Sequence, residues 1–173
     1  MCRPNSAVDF MASHNLQTSQ LALTSNIGMS PRTEGGLGDL HAASQLIPKN
    51  EPYVMLNMMN FKPEAQYDND FEGSPSNPIS GAEAYTIYRQ AFGKRATELG
   101  VKNPAVLFLG KAHTNLIAGP QEGESWDFIV MVRFENFASF KMVLEDEGYI
   151  KLIQPHRLAA VREFRSFAVS EIH

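Results

Sequence analysis

Four segments of the chain are dense in apolar, β-forming residues, and each predicts a β-strand. In the first of them the odd-numbered residues from Tyr53 to Phe61 share one face, and Asn57 is the polar residue among them. The third has the same alternation, with Arg133 on the face of Ile129 and Met131. The four predicted strands are 52–61, 105–119, with a bulge near Gly110, 126–134 and 164–172.

Helical spacing of apolar residues separates these strands. Ser80 and Glu83 have the spacing of a capping box and predict the start of a long helix, which Gly100 ends. Asn136 predicts the start of a second helix, and Asp39 that of a short one before the first strand. The apolar face of the long helix is formed by Tyr85, Tyr88, Phe92, Ala96 and Leu99.

The order β-α-β-β-α-β predicts an α+β fold, a ferredoxin-like protomer with one four-stranded antiparallel sheet and both helices on one face. The other face would then expose Val, Leu, Met and Phe side chains, a large apolar patch for a monomer. We therefore expect a homodimer formed by packing sheet on sheet.

The chain divides into residues 1–38, an extension, and 39–173, the folded domain. The extension is rich in Ser, Asn, Thr and Gln and offers little core, so we expect it to be flexible or docked on the dimer. A polar loop of about 18 residues follows Phe61, and connections that long are commonly functional lids or disordered segments.

Composition excludes several function classes. The net charge of −4 gives no basic stripe for nucleic acid or an anionic membrane. No apolar run reaches the roughly 20 residues of a membrane span. Cys2 is the only cysteine, and the first residues lack the apolar core of a secretory signal, so we expect a cytoplasmic protein without disulfides.

The segment before the last strand carries the first candidate for chemistry. A residue before proline is disfavoured in the α region, so Gln154 is predicted to end one helical segment and Pro155 to begin another. His156 and Arg157 would then lie at a cavity mouth. A histidine can act as acid or base near neutral pH, although a structural histidine at a helix start is the alternative.

Further candidates are polar or aromatic residues in predicted apolar surroundings. Asn57 is either a ligand-binding carboxamide or a satisfied core amide. Arg133 is either an anion clamp or a strand-end arginine that reaches solvent. Each remaining candidate has core packing as its alternative: Tyr85, Tyr88, Met59 and Trp126.

Metal and cofactor binding have little support in the sequence. His113 and His156 have no carboxylate at ligand spacing, so no metal site is predicted, although one axial histidine would suffice for haem. Nucleotide-binding and nucleophile-elbow motifs do not occur in the sequence. We expect no cofactor.

Four strings, in order, resemble a known family: PYVMLNMMNFKP, ISGAEAYTIYRQAF, WDFIVMVRFENFASF and EGYIKLIQPHRLAAV. They resemble domain-of-unknown-function family 1330 of the dimeric α+β barrel superfamily, distantly similar to antibiotic-biosynthesis monooxygenases and EthD-like proteins. The resemblance spans residues 40–172 and implies a ferredoxin-like protomer, a sheet-packed dimer and a pocket between sheet and helices. It implies no particular reaction.

The sequence thus predicts a small dimeric protein that binds a small, mostly apolar carbonyl or aromatic compound. If it is an enzyme, it is a cofactor-independent monooxygenase, isomerase or cyclase. His156 would be the base, and Asn57 with Tyr88 or Arg133 would hold an oxyanion. The alternative is a non-catalytic binding or assembly protein with a filled core. A cavity of roughly 300 Å³ or more would favour a ligand.

Overall fold

The computed structural model describes residues 38–102, 104–117 and 125–172, and the predicted extension lies outside them apart from Gly38. The strands are β1 (Tyr53–Phe61), β2 (Ala105–Lys111), β3 (Phe128–Phe134) and β4 (Val161–Val169). The helices are α1 (Leu40–Leu46), α2 (Gly81–Glu98), α3 (Phe137–Leu144) and α4 (Gln154–Ala160), and a π-helical segment, Tyr149–Ile153, leads directly into α4.

The strands form one antiparallel sheet in the order β2-β3-β1-β4, which confirms the predicted ferredoxin-like topology. On β1 the odd-numbered residues face the helices. Tyr53, Asn57 and Met59 of that face are buried. The register places Asn57 between Val130 of β3 and Ser166 of β4, so the polar residue lies in the middle of the sheet.

The predicted helix starts are confirmed. The Ser80 Oγ accepts a hydrogen bond of 3.2 Å from the Glu83 amide, and the Ser80 amide donates one of 2.8 Å to the Glu83 carboxylate. Asn136 caps α3 by accepting from the Ser139 amide, and Asp39 caps α1. Gly100 follows α2 with φ of 75°, in the left-handed region that favours glycine.

Two strands differ from their predicted bounds by more than two residues. β2 ends at Lys111. Beyond it the Asn115 side chain accepts a hydrogen bond from the Ile117 amide, a local turn that competes with strand pairing. The bulge of β2 lies between Val106 and Phe108, not near Gly110. β4 begins three residues earlier than predicted, because Val161 pairs with Phe61 across a second bulge.

The prediction that a helix begins at Pro155 is close to the observed start of α4 at Gln154, but the prediction that Gln154 leaves the α region is wrong. Gln154 has helical torsions, φ −54° and ψ −39°, and its amide bonds to the Tyr149 carbonyl, five residues back. Pro155 has no amide hydrogen to donate, and its ring crowds the carbonyl four residues earlier in an ordinary α-helix. The wider π turn immediately before it accommodates this ring, so the helix continues through the proline.

The long loop after β1 packs against α4. The Lys62 amide donates to the Ala160 carbonyl at 2.9 Å, and the Gln66 amide donates to the Ala159 carbonyl at 3.0 Å. At the loop's end the chain approaches closely at Gly81, where a Cβ would lie 2.3 Å from the Ala160 oxygen. Only glycine fits there, and the loop is thereby fixed beside α4.

The face of the sheet away from the helices is largely apolar. It carries Val54, Leu56 and Met58 of β1, opposite Ile129 and Met131 of β3. Phe108 and Phe167, on the two edge strands, are 51% and 48% exposed. We call this surface the open sheet face. Among the described residues no helix is both long and apolar enough to cross a membrane.

Candidate functional site

A cavity of about 540 Å³ lies between the helix-facing side of the sheet and α2. Its volume is within the range of small-molecule sites and above the roughly 300 Å³ that a ligand requires. Its inner wall includes Met55 and Asn57 of β1 and Val130, Val132 and Phe134 of β3. Its outer side lies between α2 and the edge strand β2 and is formed by Arg89, Gln90, Gly93, Pro104, Val106 and Leu109.

Two tyrosines of α2 line the cavity, as their predicted position on the apolar helix face implies. The rings of Tyr85 and Tyr88 are 5.4 Å apart. Burial raises the pKa of Tyr85 further above its ordinary value near 10, so its hydroxyl is a neutral donor and acceptor at pH 7. The aromatic wall can therefore pack against an apolar ligand while offering a hydroxyl group.

Asn57 is the buried polar side chain of the sheet wall. It is 3% exposed, and its Oδ1 has no hydrogen-bond partner among the described residues. Leaving a buried acceptor unsatisfied costs roughly 1–3 kcal/mol. Of the two interpretations of Asn57 from the sequence, the satisfied core amide does not fit this geometry.

Arg157 lines the same cavity from α4. It is 2% exposed, and its Nε and Nη2 have no hydrogen-bond partner within the described parts of the chain. The guanidinium carbon lies 5.8 Å from the ring centre of Tyr88 and 5.5 Å from that of Phe164. Neither Asp nor Glu occurs among the described residues that line the cavity. A buried positive charge thus faces the cavity without a neutralising carboxylate.

His156 does not line this cavity, although it adjoins Arg157 in sequence. Its Nδ1 and the Tyr67 hydroxyl share a hydrogen bond of 2.9 Å. The Phe71 ring meets the imidazole edge-on at 5.2 Å, and burial lowers the pKa of His156. The structure therefore brings His156 together with the long loop rather than with Asn57 or Tyr88. Tyr67 and Phe71 were not among the predicted site residues, because nothing local in the sequence ties them to His156.

Three further predicted site residues also lie outside the cavity lining. Arg133 is exposed on the open sheet face, opposite Val54. Trp126 is half-buried, with the Arg165 guanidinium 5.7 Å from its ring centre. Met59 is fully buried in the core.

The described residues contain no group of three His, Cys, Asp or Glu side chains that could hold a metal ion. His113 is exposed and follows β2, apart from the cavity-lining residues. The polar groups that the cavity offers are two arginines, two tyrosines, Asn57, Gln90 and Ser166. Such groups donate and accept hydrogen bonds and bind anions.

The sequence matches no protein-family model, and no curated protein matches it. Among solved structures, the chain is similar to the RPA0582 protein of unknown function from Rhodopseudomonas palustris, a structural genomics target. The two are 25% identical with a TM-score of 0.62, over 80% of this chain and 95% of that one. A structure of methylated RPA0582 protein gives 25% identity and a TM-score of 0.63, over 80% and 93% of the chains. These likenesses support the α+β fold and assign no activity.

Proposed function

We propose that this protein binds a small, mostly apolar molecule in the cavity between α2 and the sheet. The observation that carries the proposal is a cavity of about 540 Å³ walled largely by aliphatic and aromatic side chains, with the buried polar groups of Asn57 and Arg157 at its surface. Small-molecule sites combine these features, since the apolar wall supplies affinity and a few polar groups fix orientation. The alternative of a filled core is not supported by this volume.

Binding without catalysis is the function that the lining supports best. Proton abstraction needs a general base within hydrogen-bond reach of the substrate. The described lining residues include no His, Asp, Glu or Lys, and His156 contacts Tyr67 and Phe71 instead. The cofactor-independent oxygenase, isomerase or cyclase expected from the sequence therefore lacks its base at this cavity, and the proposal names no reaction.

We also propose that the protein acts as a homodimer and belongs with the dimeric α+β barrel proteins that its sequence resembles. The support is the open sheet face, where apolar side chains of all four strands lie together and Phe108 and Phe167 are each about half exposed. Contiguous apolar surface of this kind is typical of protein interfaces. Packing two such faces would bury it while leaving each cavity on the opposite side of its sheet.

A neutral fluorescent probe, N-phenyl-1-naphthylamine, tests binding in the cavity. We expect saturable binding to the wild-type protein, seen as a rise in probe fluorescence. Gly93→Phe should abolish it, because Gly93 lines the cavity, a Cβ there would meet no atom within 4 Å, and the added phenyl group would take up part of the cavity volume. Lys94→Phe is the matched control, since Lys94 is exposed on α2 and does not line the cavity.

Two results would contradict the proposal. The first is an absence of saturable binding to the wild type. The second is equal binding to the wild type and the Gly93→Phe variant, which would place the probe elsewhere, for example on the open sheet face.

A further inference from the structure

We propose that the ligand of this cavity is a carboxylate with an apolar body, and that Arg157 holds the carboxylate through its Nε and Nη2. This inference rests on the proposed function, because it names the chemical class of the molecule bound there. It predicts in addition that the ligand carries a hydroxyl or N–H group for the unpaired Oδ1 of Asn57.

The unpaired atoms of Arg157 have the geometry that a carboxylate requires. Nε and Nη2 lie on one edge of the planar guanidinium, and their two N–H bonds point the same way, which matches two carboxylate oxygens. The same chain shows this pairing elsewhere. Arg95 binds Asp146 through Nε at 2.8 Å and Nη2 at 2.7 Å, and this holds the pKa of Asp146 at about 2. Arg157 lines the cavity, and the same edge of its guanidinium is buried with no carboxylate from the described residues.

Because Arg157 is buried, its lack of a carboxylate partner is unfavourable in the ligand-free protein. An ionised group removed from water is costly unless it is paired and hydrogen-bonded. Tyr88 and Phe164 lie within 6 Å of the guanidinium and interact with its charge through their rings, but a ring face accepts no strong hydrogen bond. The ring contacts therefore leave the N–H donors for a ligand.

The charge of the site favours a carboxylate over a phosphate. Arg157 is the buried cation of the described lining; Arg89, the other lining cation, is exposed at the outer side of the cavity. One buried guanidinium neutralises a single negative charge. A phosphate ester carries about −1.5 to −2 at pH 7 and would bring uncompensated charge into an apolar pocket.

Asn57 adds a second requirement. Its free Oδ1 accepts a hydrogen bond and cannot favourably face the carboxylate oxygens themselves. A ligand that satisfies both groups must combine an anion for Arg157 with a donor for Asn57. Hydroxy acids with an aromatic or alkyl body meet this description.

The test is displacement of N-phenyl-1-naphthylamine at pH 7 by 3-phenylpropionate and by its neutral amide. Hydrogen bonds to a charged group are stronger than those between neutral groups, so we expect the carboxylate to bind about 10- to 100-fold more tightly than the amide. At least one of the 2-, 3- and 4-hydroxyphenyl analogues of the carboxylate should bind more tightly still. Benzyl phosphate, a phosphate ester of matching length, should bind less tightly.

Variants at Arg157 test whether this side chain causes the preference for the carboxylate over the amide. Arg157→Met should remove the preference for the carboxylate while retaining the neutral probe, which shows that the cavity persists. Arg157→Lys should keep part of the preference, because it keeps the charge and loses the paired donors. Lys94→Met, which removes one positive charge from the exposed side of α2, should leave the preference unchanged.

The outcomes separate the two proposals. If the neutral probe binds in the cavity but the amide equals the carboxylate, or the phosphate ester exceeds it, the carboxylate inference is overturned and the proposed function stands. The same holds if Arg157→Met retains the preference. Equal binding by all the hydroxyphenyl analogues and the parent overturns the role given to Asn57. If the probe does not bind the cavity at all, the proposed function itself fails.

Discussion

Replacing Arg157 with methionine should stabilise the ligand-free protein, the reverse of the usual effect of a buried substitution. Two guanidinium nitrogens of Arg157 lack partners, at a cost of roughly 1–3 kcal/mol each. The contacts of the guanidinium with the Tyr88 and Phe164 rings stabilise the folded protein by about 0.5–2 kcal/mol each and offset part of this cost. Methionine preserves an unbranched apolar side chain in the same space. We expect the free energy of unfolding to rise by about 1–2 kcal/mol.

Urea unfolding at one fixed protein concentration measures this change, and a thermal melt should show an increase of about 2–8 °C. Arg89→Met is the matched control. Arg89 is exposed, with its guanidinium carbon 5.9 Å from the Phe128 ring centre, and exposed substitutions usually stay within about 0.5 kcal/mol. A loss of 1 kcal/mol or more in Arg157→Met, with an unchanged denaturant slope, would refute the reasoning. It would show that the guanidinium is satisfied inside the protein and is not reserved for a ligand.

Three further predictions concern the rest of the molecule. Light scattering at micromolar concentration should give twice the chain mass of 19.2 kDa, and Phe167→Glu on the open sheet face should give a monomer; a monomeric wild type would overturn the proposed dimer. Removing residues 1–38 should shift the melting temperature by only a few degrees, because that segment offers little core, and a collapse of solubility would show instead that it docks on the domain. His156→Ala should cost about 1–3 kcal/mol by orphaning the Tyr67 hydroxyl and should leave affinity for the neutral probe unchanged. Because burial lowers the pKa of His156 below its unfolded value, the unfolded chain binds the proton first. The contribution of His156 to the free energy of unfolding should therefore be complete above about pH 6.5 and fall at lower pH. The His156→Gln variant should lack this pH dependence.

The elements that the sequence predicted well are those whose signals are local. Ser80 and Glu83 are three residues apart, and their reciprocal hydrogen bonds start α2 where the capping box indicates. The spacing of Tyr85 and Tyr88 on one helix face brought both to the cavity wall. Asn57 was predictable for a related reason, since an amide in the middle of an apolar strand needs a partner wherever the strand is buried.

Where the arrangement of the site residues differs from the expected one, the cause is contacts between residues far apart in the chain. His156 was given the role of base because of its intrinsic pKa. Its surroundings are set by Tyr67 and Phe71, more than 80 residues earlier. The loop that carries those two rings has a polar and proline-rich sequence, which predicts a lid or disorder and gives no sign that it packs on α4. Arg133 was placed on the correct strand face by its alternation, but the sequence does not show which face of the sheet the helices cover.

The different roles of His156 and Arg157 follow from the helix that carries them. Successive side chains on an α-helix point about 100° apart, so one of two neighbours can face the sheet while the other faces the loop. The π turn at Tyr149–Ile153 holds one residue more than an α turn, and thereby sets the rotation of everything that follows it in α4. Pro155 favours this wider turn, and the backbone bonds from Lys62 and Gln66 fix the other end of α4. The sequence predicted from Pro155 that His156 faces a cavity. In the structure Pro155 is instead part of the arrangement that places Arg157 in the cavity wall.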